Sequence, residues 1–94
     1  MRILWTNRAR RQLSAIVNYI LLDNPSAAEH VYEAINHSVD RLATFPETGR
    51  PGRVSGTREL VIPGLPYIIP YRLQGQMVEI LAIFHAARRW PEEF

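Results

Sequence analysis

Two apolar stripes with the period of a helix run through the first half of this chain, and only the short break Asp23-Asn24-Pro25 parts them. In "RARRQLSAIVNYILL", residues Ala9, Leu13, Ile16, Val17, Ile20 and Leu21 recur at the spacing of one helix face. Thr6 or Asn7 stands where the cap belongs. After the break, Asp23 or Asn24 caps a second helix, and Pro25 falls in its first turn, where a missing N–H costs nothing. Ala28, Val31, Tyr32, Ile35, Val39 and Leu42 carry the second stripe. So short a break folds the two helices into an antiparallel hairpin.

The chain supplies the layer on which that hairpin packs. "RILW", Arg2 to Trp5, reads as a short N-terminal strand. "TRELVIPG" alternates, with Arg58, Leu60 and Ile62 on one side and Glu59 and Val61 on the other. "PYIIPYRL" is rich in aromatic and β-branched residues, but Pro70 cannot donate to a ladder, so its nitrogen must meet a gap, a bulge or an edge. "QMVEILAIF" follows a tight turn at Gln74-Gly75 and is apolar on both faces, which predicts a central strand. "TFPETGRPGRVSGT", Thr44 to Thr57, is the one true loop. The expected fold is α+β: an N-terminal strand, then an antiparallel helical hairpin packed on a mostly antiparallel sheet that a C-terminal three-strand meander completes. It forms one domain over residues 1–94.

Composition narrows the chemistry. With 47% apolar residues and a net charge of +2, disorder is not expected. The chain has no cysteine, so neither disulfides nor thiolate metal sites are available. His30 and His37 stand two helical turns apart without a third ligand, and no metal or cofactor is expected. All 11 basic side chains are arginine. That removes lysine as a base or Schiff-base former and leaves side chains able to grip phosphate or carboxylate bidentately. No window approaches the roughly 18 apolar residues of a membrane span, and the N-terminus lacks a signal-peptide core, so a cytoplasmic location is expected.

Four segments, "FPETGR" (Phe45 to Arg50), "GTREL" (Gly56 to Leu60), "PYIIPYR" (Pro66 to Arg72) and "IFHAARRW" (Ile83 to Trp90), occur in order behind the helical hairpin. Together they resemble the RelE/ParE superfamily of toxins from bacterial type II toxin–antitoxin modules of the plasmid-stabilisation type. The resemblance implies a growth-arresting cytosolic toxin. It also implies a cognate antitoxin whose extended or helical tail wraps the toxin in a hetero-oligomer, with no membrane involved. RelE-like members cleave mRNA on the ribosome without a metal, whereas ParE-like members act on DNA gyrase and are not known as nucleases.

Metal-free RNA cleavage needs a base for the 2′-hydroxyl, a cation for the phosphorane-like charge and an acid for the leaving oxygen. By the resemblance, His85 is the acid/base candidate and Arg58 the phosphate ligand; an imidazole titrates near neutrality, which suits the first role. The structural alternatives are a histidine that caps the core edge and bonds a backbone carbonyl, and a cross-strand pair between Arg58 and a carboxylate such as Glu79. Arg50, Arg53, Arg72, Arg88 and Arg89 are candidate binding residues, set against a solvated loop for Arg50 and Arg53, a paired Arg72, and one packed and one solvated arginine at 88–89. Glu47 and Glu59 are further candidates, Tyr67 and Tyr71 fit sheet-face packing, and Trp90 fits a staple for the tail. RelE-like nucleases carry clustered lysines and arginines and a tyrosine near the C-terminus. This chain has no lysine and no tyrosine after His85. The departure favours ParE-like interference with gyrase, with an mRNA endonuclease as the alternative and an inactive toxin that only binds its antitoxin as the third reading.

Overall fold

The computed structural model describes residues 1–87 and Trp90. Strand β1 (Arg2–Trp5) leads into helices α1 (Asn7–Leu21) and α2 (Pro25–Asp40) and a 3-10 turn (Arg41–Ala43). Strands β2 (Arg50–Pro51), β3 (Arg58–Val61), β4 (Tyr67–Gln74), β5 (Met77–Ile80) and β6 (Phe84–His85) follow. Among the described residues these form one sheet in the order β1-β5-β4-β3-β2, with β6 beside β4. β1 runs parallel to β5, and the other pairs are antiparallel. The α+β architecture and the β3-β4-β5 meander match the expectation from the sequence.

Both helices start where side-chain chemistry allows. The Thr6 hydroxyl accepts from Ala9 N at 3.2 Å and donates to Ile80 O at 2.7 Å, so one side chain caps α1 and ties it to β5. Asn24 Oδ1 accepts from Ala27 N, and Pro25 opens α2. α2 is the more deeply buried helix: Ala28 is buried, and Val31, Ile35 and Val39 share one core cluster with Leu60, Ile69, Tyr71, Val78 and Ile80 of the sheet. The stripes are narrower than their spacing suggests, because Leu21 and Tyr32 are 45% and 50% exposed.

Three local readings are corrected. The tight turn holds Gly75 and Gln76, with Gln74 still in β4, because Gly75 takes the positive φ of 60° that the turn needs. The segment "QMVEILAIF" is two strands, β5 and β6, separated by residues 81–83. The 44–57 loop contains β2, which forms an edge of the sheet.

Pro70 explains the break between β5 and β6. Tyr71 lies opposite Ile80 and Ile68 lies opposite Phe84, so three steps along β4 answer four along the other chain. One residue is extra, which is a β-bulge. Leu81 N donates to Pro70 O at 3.0 Å, so the proline nitrogen faces the same side, where the ladder is interrupted. Its missing donor therefore leaves no partner unpaired. No helix among the described residues is long and apolar enough to cross a membrane.

Candidate functional site

The candidate residues fall into two groups along the sheet. The first surrounds the "FPETGR" loop. Tyr71 is fully buried, and its hydroxyl donates to Pro46 O at 2.7 Å and accepts from Gly49 N at 2.8 Å. A Cβ at position 49 would lie 2.6 Å from the Tyr71 ring and hydroxyl, so a glycine is required there. Burial pushes the Tyr71 phenol above its ordinary pKa, against the opposing Gly49 amide and Arg58 charge. Arg58 donates from Nη1 to Gly49 O at 2.7 Å and to Glu47 O at 3.4 Å. Two motif segments thus meet here to hold one loop.

Glu59, on β3, is 2% exposed. Its Oε1 accepts from Arg50 Nε and Nη2 at 3.2 and 3.0 Å, and its Oε2 accepts from Arg53 N and Nε at 2.8 and 3.1 Å. Burial raises the carboxyl pKa, but the Arg53 amide and the two guanidiniums outweigh it and hold the pKa below the ordinary glutamate value. The Arg53 guanidinium lies 3.6 Å from the centre of the Trp90 ring, and that ring sits 4.8 Å from Phe84. Arg50 and Arg53 are therefore not ordinary solvated loop residues. Trp90 packs on Phe84 as a staple for the tail would, while Arg88 and Arg89 lie outside the described residues.

Arg72 pairs with Glu79 directly across β4 and β5. The sequence alternative for Arg58 is corrected by this register: Arg58 stands opposite Tyr71, and Glu79 is already Arg72's partner. Partners across a strand pair share a face, and faces alternate along β4, so Arg58 and Glu79 lie on opposite faces.

The second group is at β6. His85 stands opposite Tyr67, with the two rings edge to face at 6.0 Å. Its Nδ1 accepts from Ala87 N at 3.2 Å, so the ring bonds an amide and not the carbonyl expected of a core-edge histidine. A groove of about 580 Å³ opens beside it, lined by Gln12, Ile16, Tyr19, Tyr67, Phe84 and His85. Gln12 Oε1 holds the groove floor by accepting from Ile83 N at 2.8 Å.

His85 and Arg58 are not brought together. They flank opposite sides of β4 at Tyr67 and Tyr71. Four residues of strand and two strand spacings separate their Cα atoms by roughly 16 Å. The Arg58 guanidinium also turns to the loop before β2, away from β6. Among the described residues no three His, Cys, Asp or Glu side chains gather closely enough to hold a metal ion. The sequence reading missed the central position of Glu59. A lone glutamate in an alternating strand carries no signal of burial, and its arginine partners come from a loop whose path the sequence does not specify.

The comparisons with known proteins agree with this architecture. The family model described as the ParE toxin of the type II toxin–antitoxin system parDE matches residues 3–90. The toxin candidate Y4kP of Sinorhizobium fredii is 52% identical over 97% of this chain and 94% of its own length. Toxin RelE2 of Caulobacter vibrioides is 37% identical over 93% of this chain and 97% of its own length. A solved structure of the chromosomal ParDE toxin–antitoxin system from P. aeruginosa superposes with a TM-score of 0.81 at 30% identity, covering 90% of this chain and 95% of that one. With the helical hairpin, the bulged sheet and the family model all spanning the same residues, this chain belongs to the ParE toxin family of type II toxin–antitoxin systems.

Proposed function

We propose that the chain, when free of its antitoxin, arrests growth by binding DNA gyrase in the cytoplasm and blocking replication, without doing chemistry itself. The observation that carries this reading is the separation of Arg58 from His85. A transesterification site needs its cation and its proton carrier around one phosphate. Here the Arg58 guanidinium is spent on the carbonyls of Gly49 and Glu47. The lack of lysine and the match to the ParE family model support the same reading. The target surface is then a binding surface for an acidic partner: Arg50 and Arg53 share the single carboxylate of Glu59 and so carry a net positive charge, Arg72 is offset by Glu79, and Arg88 and Arg89 are further candidates.

The second reading is a ribosome-dependent mRNA endonuclease, with His85 as acid or base and Arg58 on the phosphate. It draws on the open groove beside His85 and on the RelE names of the two Caulobacter vibrioides relatives. A pulse of expression in bacteria separates the two. If gyrase is the target, thymidine incorporation falls before methionine incorporation, and His85→Ala and Arg58→Ala still arrest growth whenever they fold. An early fall in methionine incorporation, abolished by either substitution, overturns the gyrase reading. An inactive toxin that only binds its antitoxin would depress neither.

A further inference from the structure

We propose that the loop at residues 45–49 is a preformed docking element, whose exposed Phe45 ring enters an apolar, acid-rimmed pocket on the protein through which this chain arrests growth. This rests on the reading that arrest comes from binding a target protein, and it deepens that reading by naming the contact.

Phe45 is 56% exposed, although its ring carries no polar atom. Among the described residues the other exposed aromatic side chains are Tyr19 and Tyr32, each with a hydroxyl that water can satisfy. The backbone around Phe45 is firmly held. Phe45 N donates to Arg41 O at 2.9 Å, and Phe45 O accepts from Thr48 N and Thr48 Oγ1 at 3.2 and 2.7 Å. From the sheet, Tyr71 and Arg58 fix Pro46 O and both backbone polar groups of Gly49. Thr44, Phe45, Glu47 and Thr48 nevertheless stay exposed, so their side chains project from a fixed frame. A ring held ready in this way docks with little ordering cost, and an aromatic anchor ringed by polar groups is the usual centre of a protein interface. Shape and charge specify the partner. A short projecting turn fits a concave surface that is already folded, whereas a wrapping antitoxin tail fits a groove such as the one between α1 and β6. The Arg41 guanidinium lies 5.9 Å from the centre of the Phe45 ring, so a pocket that takes the ring meets a cation at its rim, which a carboxylate there complements. Arg50 follows the loop directly, so the ring adjoins the basic surface proposed for the target.

Phe45→Ala removes an exposed ring, so its urea midpoint and antitoxin affinity should match those of the wild type. Its growth arrest at equal expression should fall several-fold, and its affinity for purified gyrase about tenfold or more. Phe45→Leu, which keeps an apolar side chain, should recover most of both. Tyr71→Phe keeps Phe45 but frees the loop. Its affinity for gyrase should fall several-fold while the β4–β5 ladder stays protected from exchange and antitoxin binding persists. Val61→Ala trims a side chain that is 49% exposed at the end of β3, and it should change neither arrest nor affinity. Full arrest by Phe45→Ala overturns the proposal. So does an equal loss in Val61→Ala, or a matching loss of antitoxin binding, which would assign the ring to the antitoxin. The wild-type chain tests the underlying reading separately. If it arrests growth without binding gyrase, the gyrase reading falls, and the loop is still judged by the arrest that Phe45→Ala retains or loses. A wild-type chain that does not arrest growth overturns both.

Discussion

At the scale of single residues, a buried carboxylate is stable only when its bonds to cations and amides exceed the cost of leaving water. Glu59 meets that condition, and its pKa lies below the ordinary glutamate value as a result. The sign of the linkage follows. The folded chain holds its proton more weakly than the unfolded chain, so stability rises with pH wherever the unfolded chain binds more protons. The contribution of Glu59 is fully present above the unfolded pKa and is lost as pH falls through the lower folded pKa. Urea denaturation across the acid range should show a stability loss that Glu59→Gln lacks in part, because an amide does not titrate there. Parallel acid limbs for the two proteins would assign the loss to other carboxylates.

At the scale of elements, the "FPETGR" loop is held by groups remote in sequence. Tyr71 supplies a donor and an acceptor from β4, and Arg58 supplies a donor from β3. Tyr71→Phe removes the hydroxyl and keeps the ring in the core. It leaves Gly49 N and Pro46 O without their partner in a largely buried place, which costs about 1–3 kcal/mol. The unfolding free energy should fall by that amount, read as a lower urea midpoint at unchanged slope, and amide exchange at Gly49 should accelerate while the β4–β5 ladder stays protected. The same elements show what the sequence could reveal. Periodicity gave the helices, and the caps at Thr6 and Asn24 followed from side-chain chemistry, because both are local. Pro70 required an interruption somewhere, and the bulge at residues 81–83 is that interruption. The partners of Arg58, Glu59 and Tyr71 were hidden because each depends on register or on the route of a loop. A shift of register by one residue sends every side chain to the other face. Thus Glu79 looked as available to Arg58 as to Arg72 until β4 and β5 were aligned.

At the scale of the whole molecule, apolar and basic surfaces coexist without cover. Tyr19 and Leu22 are 75% and 83% exposed at the far end of α1, close to the groove that runs to His85. Arg10 and Arg11 stand exposed in the opening turns of α1, where no acidic residue offsets the positive end of the helix dipole. A toxin of this family has an antitoxin partner, and these surfaces call for one that combines apolar side chains with acidic ones. The two contributions respond differently to salt. Between about 0.1 and 1 M salt the screening length falls from roughly 10 to 3 Å, which weakens charge attraction but not apolar burial. The antitoxin complex should therefore associate more slowly and bind less tightly as sodium chloride is raised, yet still form at high salt. An antitoxin whose tail acids are replaced by amides should bind with a flatter salt dependence. Stopped-flow mixing of the purified partners at several salt concentrations measures both quantities. Equal slopes for the acidic and neutralised tails would show that the arginines of this chain face elsewhere and that apolar contact alone captures the antitoxin.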